Sequence, residues 1–219
     1  MKLLMIMTLI GGVLSIISPV SARPVSYPDG WTLMHYNEAD NSSLLVHYTI
    51  DPKTALGFRV EERTYGDHVF IGGQINHLVR RWNAPGSQAN LYFKAGIGMA
   101  DGRFNNRSKE IRAAGFAHIS GDWENRRWFI SGDLYAHGVE GQVLTGQQAR
   151  IGVAPYLADF GALHTWLMVQ ADWKQNANEL QGEEDFTLTP LLRFFKGSAL
   201  LELGYSTNDE PLVNFIYRF

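Results

Sequence analysis

Apolar side chains recur at every second position along most of this chain, and that period of two constrains the fold more than any other feature. In 88–100, Leu91, Phe93, Ala95, Ile97 and Met99 alternate with Asn90, Tyr92, Lys94 and Gly96. In 162–174, Leu163, Thr165, Leu167, Val169, Ala171 and Trp173 alternate with His164, Gln170, Asp172 and Lys174. The stretches 147–158 and 198–207 divide in the same way. Successive side chains of an extended strand point to opposite faces, so each stretch reads as a two-faced strand. Strand-like segments bounded by turn residues fall at 31–37, 43–50, 54–63, 68–82, 88–100, 109–123, 127–139, 147–158, 162–174, 185–195, 198–207 and 211–219. That makes twelve, or ten if the first two do not pair. The expected class is all-β.

A soluble antiparallel sandwich also alternates, with its apolar face inward. Three features point the apolar face outward instead. Many segments exceed the 5–6 residues usual in soluble sheets and approach the ~9–11 of a tilted membrane-spanning strand. The connections alternate: "DPK", "NAPGS", "ENR", "DFG" and "KG" are short, while "DGRFNNRSK", "EGQVLTG" and "QNANELQGEE" are longer and polar. Tight turns on one side and long loops on the other are the habit of outer-membrane barrels. Finally, Trp82, Trp123 and Trp128 fall at the short-turn ends of their segments, where an interfacial aromatic girdle belongs. An even strand count would put both chain ends on the short-turn side.

The two ends agree with export. Residues 1–22 carry Lys2, an apolar run from Leu3 to Ile17, and Val20-Ser21-Ala22 as small residues for cleavage, so they read as a signal peptide preceding a barrel over 23–219. The run is shorter than the ~20 residues a membrane-spanning helix needs. The chain has no cysteine, so no disulfide framework is available to it. At the other end, Val213, Phe215, Tyr217 and Phe219 alternate up to a terminal aromatic. This resembles the carboxy-terminal signature of bacterial outer-membrane β-barrels. The resemblance implies that Phe215, Tyr217 and Phe219 form a signal read by the outer-membrane assembly machinery. It also implies a monomeric antiparallel transmembrane β-barrel in the outer membrane of a Gram-negative bacterium, in contact with its lipid and lipopolysaccharide. In size, strand number and a basic lumen it is similar to the small twelve-stranded porins for acidic sugars.

With the apolar set outside, the opposite set lines a lumen. Arg59, Arg63, Arg80, Lys94, Arg112, Arg127, Arg150, Lys174, Arg193 and Arg218 would point inward, against Glu61, Asp122, Asp133, Asp172 and Glu202. A basic interior contrasts with an overall net charge of −3, the remaining acids lying in loops, among them Glu179, Glu183 and Glu184. This predicts a narrow channel for small, anionic solutes, with Arg59, Arg80, Lys94, Arg112, Arg150 and Arg193 touching the permeant. A charge-filled barrel with a structural or surface-interaction role is the alternative, since cross-strand neighbours could pair. Hairpin geometry would set His118 opposite Asp133, Ser120 opposite Ser131 and Trp123 opposite Trp128. It would also bring Arg150 near Gln170 and Asp172, and place Arg193 diagonal to Glu202.

A third reading is an envelope hydrolase acting on lipid or ester substrates through His118, Ser120 and Asp133, which have the parts of a nucleophilic site. No nucleophile motif surrounds them, and catalysis is the less favoured reading. The seven histidines form no H-x-H or H-E-x-x-H pattern, so neither metal nor cofactor is expected. No basic block suggests nucleic acid.

Overall fold

Each strand hydrogen-bonds to its neighbours in sequence, and the first hydrogen-bonds to the last, so the sheet has no edge. The computed structural model of the protein describes residues 25, 27–38, 41–63, 68–103, 109–139, 141–159, 161–176 and 185–219. The expected signal peptide and the loop acids Glu179, Glu183 and Glu184 lie outside the described residues. The strands are β1 (Trp31–Glu38), β2 (Asn41–Asp51), β3 (Thr54–Arg63), β4 (His68–Ala84), β5 (Ser87–Arg103), β6 (Lys109–Asn125), β7 (Trp128–Val139), β8 (Gln142–Val153), β9 (His164–Asn176), β10 (Asp185–Lys196), β11 (Ala199–Tyr205) and β12 (Pro211–Arg218). All pairings are antiparallel. The seam runs from Thr32 opposite Arg218 to Asn37 opposite Val213. Beyond it, Trp31 N donates to Phe219 O at 2.8 Å and Phe219 N to Trp31 O at 3.1 Å. The terminal segment thus closes the barrel.

The burial pattern is inverted relative to a water-soluble sheet. Ile97 is 81% exposed and Ile111 68%, and the outer face also carries Phe58, Phe93, Leu134, Ile151, Leu167 and Phe186. Glu61, Gln170, Glu202, Asn214 and Arg218 are buried within. Hydrocarbon outside and polar groups inside is the arrangement of a transmembrane β-barrel, in which closure satisfies every ladder N–H and C=O. The expected twelve-stranded class is therefore found. Trp31, Trp82, Trp123 and Trp128 stand on the outer face at the turn-side end, and the Trp31 ring lies 5.1 Å from that of Tyr48. The outward Phe215, Tyr217 and Phe219 stack in sequence, with centroids 6.4 and 6.0 Å apart. Val25 packs into the turn-side mouth against the inward Ala55, Leu78 and Tyr92.

Three features differ most from the sequence expectation. β8 begins at Gln142 and ends at Val153, five residues earlier than 147–158. Pro155 has no N–H to continue the ladder, so the strand stops short of it. Gln142–Gly146 ("QVLTG") is strand, with alternate residues turned inward, because an aqueous lumen accepts polar side chains. The β7–β8 connection is consequently tight, and the β8–β9 connection, expected to be "DFG", runs over 154–163. At the β6–β7 turn, Asn125 Oδ1 accepts hydrogen bonds from Arg127 N (2.7 Å) and Trp128 N (2.6 Å). That closes the turn on Arg126 and Arg127, one residue later than expected. Trp123 then faces Ile130 rather than Trp128, Ser120 faces Asp133 rather than Ser131, and His118 faces Tyr135. Third, the β4–β5 register shifts between Leu78 and Arg80. This bulge at Val79 swaps the faces beyond it.

Inside, large rings need small partners. A β-carbon at Gly146 would clash with both Cζ and the hydroxyl oxygen of Tyr135, and Tyr135 in turn stacks on His118 with centroids 5.4 Å apart. Gly146→Val is therefore expected to cost about 1–3 kcal/mol through overpacking. The check is the denaturant midpoint of the refolded barrel in detergent, followed by the outer-face Trp emission. An unchanged midpoint would show that Tyr135 moves aside freely.

Candidate functional site

The lumen is crossed by two clusters of ion pairs. The first spans β8 to β12 and β1. The β10–β11 register sets Arg193 directly opposite Glu202, and the β11–β12 register sets Glu202 opposite Asn214. Arg193 Nε lies 2.7 Å from Glu202 Oε1, and Asn214 Nδ2 donates to Glu202 Oε2 at 2.9 Å. Arg150, projecting from β8, reaches past two strands to the same carboxylate, with Nη1 3.3 Å from Oε2. Its other terminal nitrogen bonds Glu38 Oε1 at 3.2 Å. The Arg193 guanidinium also lies over the Phe129 ring, 4.4 Å from its centroid. Asp172 accepts from Gln148 Nε2 (2.9 Å) and Gln170 Nε2 (2.7 Å), so its position is set by amides.

The second cluster spans β3 to β7. Glu61 is paired with Arg59 on one side and Arg63 on the other. These three alternate along β3, so all face inward. Lys94 Nζ lies 3.0 Å from Asp133 Oδ2, and His118 Nδ1 lies 3.0 Å from Asp133 Oδ1. Arg63 Nη2 donates to His137 Nε2 at 2.9 Å, and the Nε2 atoms of His118 and His137 are 3.1 Å apart. Arg59 lies over the Phe116 ring, 4.8 Å from its centroid. Each carboxylate hub, Glu61 and Glu202, thus holds two guanidiniums together. Hydrogen bonds between charged partners outweigh neutral ones, and the Glu61 and Glu202 carboxylates themselves are almost fully withdrawn from solvent.

The sequence-derived lumen residues fall into distinct places. Arg59, Lys94, His118, Asp133, Arg150, Asp172, Arg193 and Glu202 all border one internal cavity. Arg112 is on the inner face toward the loop side, where its Nη2 lies 2.6 Å from Glu110 Oε2, and it does not border that cavity. Arg80 does not face the lumen. The Val79 bulge turns it outward, over the Trp82 ring at 5.1 Å, while Arg81 takes the inward side and donates from Nε to Asn90 Oδ1 at 2.8 Å. Arg127 is in a turn and donates to Ala154 O at 3.1 Å rather than lining the lumen. Arg193 is opposite Glu202, not diagonal to it, and Arg150 sits opposite Gln170 as expected. Glu38 was missed because "NEAD" reads as loop. Its signal was the inward alternation Thr32, Met34, Tyr36, Glu38.

The hydrolase parts do not assemble. Asp133 orients His118 through Nδ1, as a triad requires, but the remaining nitrogen meets His137 rather than Ser120. Ser120 lies directly opposite Asp133 and makes no hydrogen bond to His118 Nε2.

The cavity has a volume of about 750 Å³. Its lining reaches Glu38, Asn41 and Lys174 toward the loop side and Gly86, Gly161 and Gly197 in the turns at the other end. Fold and site together define a transmembrane β-barrel whose ion-paired lumen holds a cavity.

No family model and no curated protein matches this chain. Among solved structures, LpxR from Salmonella typhimurium is similar over 87% of this chain and 99% of its own, at 10% identity and a TM-score of 0.46. A loop L8 deletion mutant of OmpT, an outer membrane protein of Vibrio cholerae, is similar over 87% and 96% respectively, at 12% identity and a TM-score of 0.36. A protein solved in work on in-meso crystallization of membrane proteins is similar over 87% and 81%, at 15% identity and a TM-score of 0.41. At such distances the likeness is one of general shape.

Removing a hub should cost more than replacing it. Glu202→Leu leaves Arg150 and Arg193 buried beside each other without their shared carboxylate. It is expected to destabilise by about 3–5 kcal/mol. Combining it with Arg193→Leu should recover part of that loss in a double-mutant cycle of denaturant midpoints. Strict additivity would show that the two residues do not interact energetically.

Proposed function

We propose that this protein is an outer-membrane barrel forming a narrow passage for small solutes, lined by charges of both signs. The observation that carries this reading is the continuous cavity of about 750 Å³, bordered by residues from both ends of the strands. Its polar lining supports hydration, and its paired lining argues against a strong preference for anions. Arg59, Lys94, Arg112, Arg150 and Arg193 each have a carboxylate partner, so a permeant anion must compete with Glu61, Asp133, Glu110, Glu38 or Glu202. The stacked Phe215, Tyr217 and Phe219 remain the proposed recognition element for the assembly machinery, as the outward end of the closing strand.

A second reading is favoured by the two carboxylate hubs: a barrel whose interior charges serve stability and conduct little. Planar-bilayer recording separates the two. The expected result is an ion current with a reversal potential close to zero in a salt gradient. Arg150→Ala should raise the current by widening the lumen and shift selectivity toward cations. A purified barrel that inserts without any current sinks the passage and leaves the charge-filled interior.

A further inference from the structure

Among the described residues, six large apolar strand side chains border the cavity at the turn side, where a purely aqueous pore has no use for them. Met34, Phe129, Trp166, Phe195, Leu200 and Ile216 all lie within four residues of the turn-side ends of their strands, and all border the cavity. Met34, Leu200 and Ile216 belong to one packed cluster, with Phe195 against it. Phe129 belongs to another, with Trp166 against it, their rings edge to face with centroids 6.3 Å apart. The floor is the long β8–β9 connection, whose Leu157, Ala158 and Ala162 also border the cavity. That connection is tethered by Arg127 to Ala154 O at 3.1 Å and by Arg126 to Ala158 O at 3.3 Å. Immediately inward comes the polar layer, with Arg193 and Glu202 beside Phe129 and Leu200.

The geometry points to a binding chamber in the turn-side half of the lumen for a small amphiphile, with an aromatic or alicyclic body and one hydrogen-bonding end. Apolar walls hydrate poorly and favour a body that displaces that water. Flat rings suit Trp166 and Phe129, which offer both faces and edges. The polar end would meet donors and acceptors in the ion-paired layer, among them Arg193, Ser131 and Gln148, which border the same cavity. The chamber is the turn-side part of the cavity of about 750 Å³, a space of the scale that small-molecule sites occupy. This assignment rests on the passage reading and names the solute class that would dwell in it.

Trp166 supplies the assay, because Trp31, Trp82, Trp123, Trp128 and Trp173 are all exposed on the outer face. Full-length protein in detergent would be titrated with benzyl alcohol, then with cyclohexanol, and with glycerol as the polar control. The expected result is a saturable emission change with the first two probes and none with glycerol. Trp166→Phe should abolish that change, and Phe129→Ala should weaken the benzyl alcohol midpoint about 2- to 10-fold. Calorimetry on the unaltered protein, corrected for empty micelles, should give a saturable heat even if a variant fails to fold. An emission change that grows linearly and survives in Trp166→Phe, or no saturable heat, overturns the chamber. Current without saturable binding would remove the chamber and keep the passage. Saturable binding without current would do the opposite.

Discussion

In hydrocarbon, a backbone N–H or C=O without a partner costs several kcal/mol, since no water is present to replace the lost bond. That penalty is what the β1–β12 seam removes. The seam is short, ending in the reciprocal bonds between Trp31 and Phe219. It nevertheless sets the properties of all other strands, because closure fixes an inside and an outside for every residue. Alternation then sends Ile97, Ile111 and Met99 toward lipid and their neighbours toward a lumen that must be filled. The aromatic ladder on β12 covers the lipid side of the same strand whose Asn214 and Arg218 are buried within.

Once the inside exists, its charges must be reconciled. A lone buried guanidinium is costly, and two held by one carboxylate are far less so. Glu61 and Glu202 each solve this problem on separate stretches of wall, one within a single strand and the other across four. The same packing leaves space on the turn side, where Phe129, Trp166, Phe195 and Leu200 border the cavity instead of filling it. Polar layer and apolar chamber therefore coexist along one axis. The lumen changes from one chemistry to the other within a few strand residues.

Much of the architecture was legible from local order. The period of two in β5, β9 and β11 needed no tertiary information, because the alternation is a property of the extended backbone. Trp123 and Trp128 were readable as interfacial from their place beside a tight turn. What failed did so for identifiable reasons. The β8 boundaries were misjudged because glutamine and threonine suit both a loop and a water-facing strand surface, so composition could not separate them. Arg80 was placed inward because parity was counted through Val79, and a bulge leaves no dependable mark in a stretch such as "HLVRRW". Glu38 was hidden by its neighbours in "NEAD".

The amino-acid order by itself determined that the chain forms long two-faced strands with an apolar side and a charged side, since side-chain direction alternates with position along any unbroken stretch of strand. It also determined that Phe215, Tyr217 and Phe219 share one face. Tertiary structure alone decided which charges meet across the lumen. Arg150 finds Glu202 and Glu38 from strands that are distant in sequence, and His118 turns to His137 rather than to Ser120. Those choices depend on register and on the curvature of a closed sheet, which bring side chains together across the lumen, and no local pattern encodes a distance measured through the middle of a barrel.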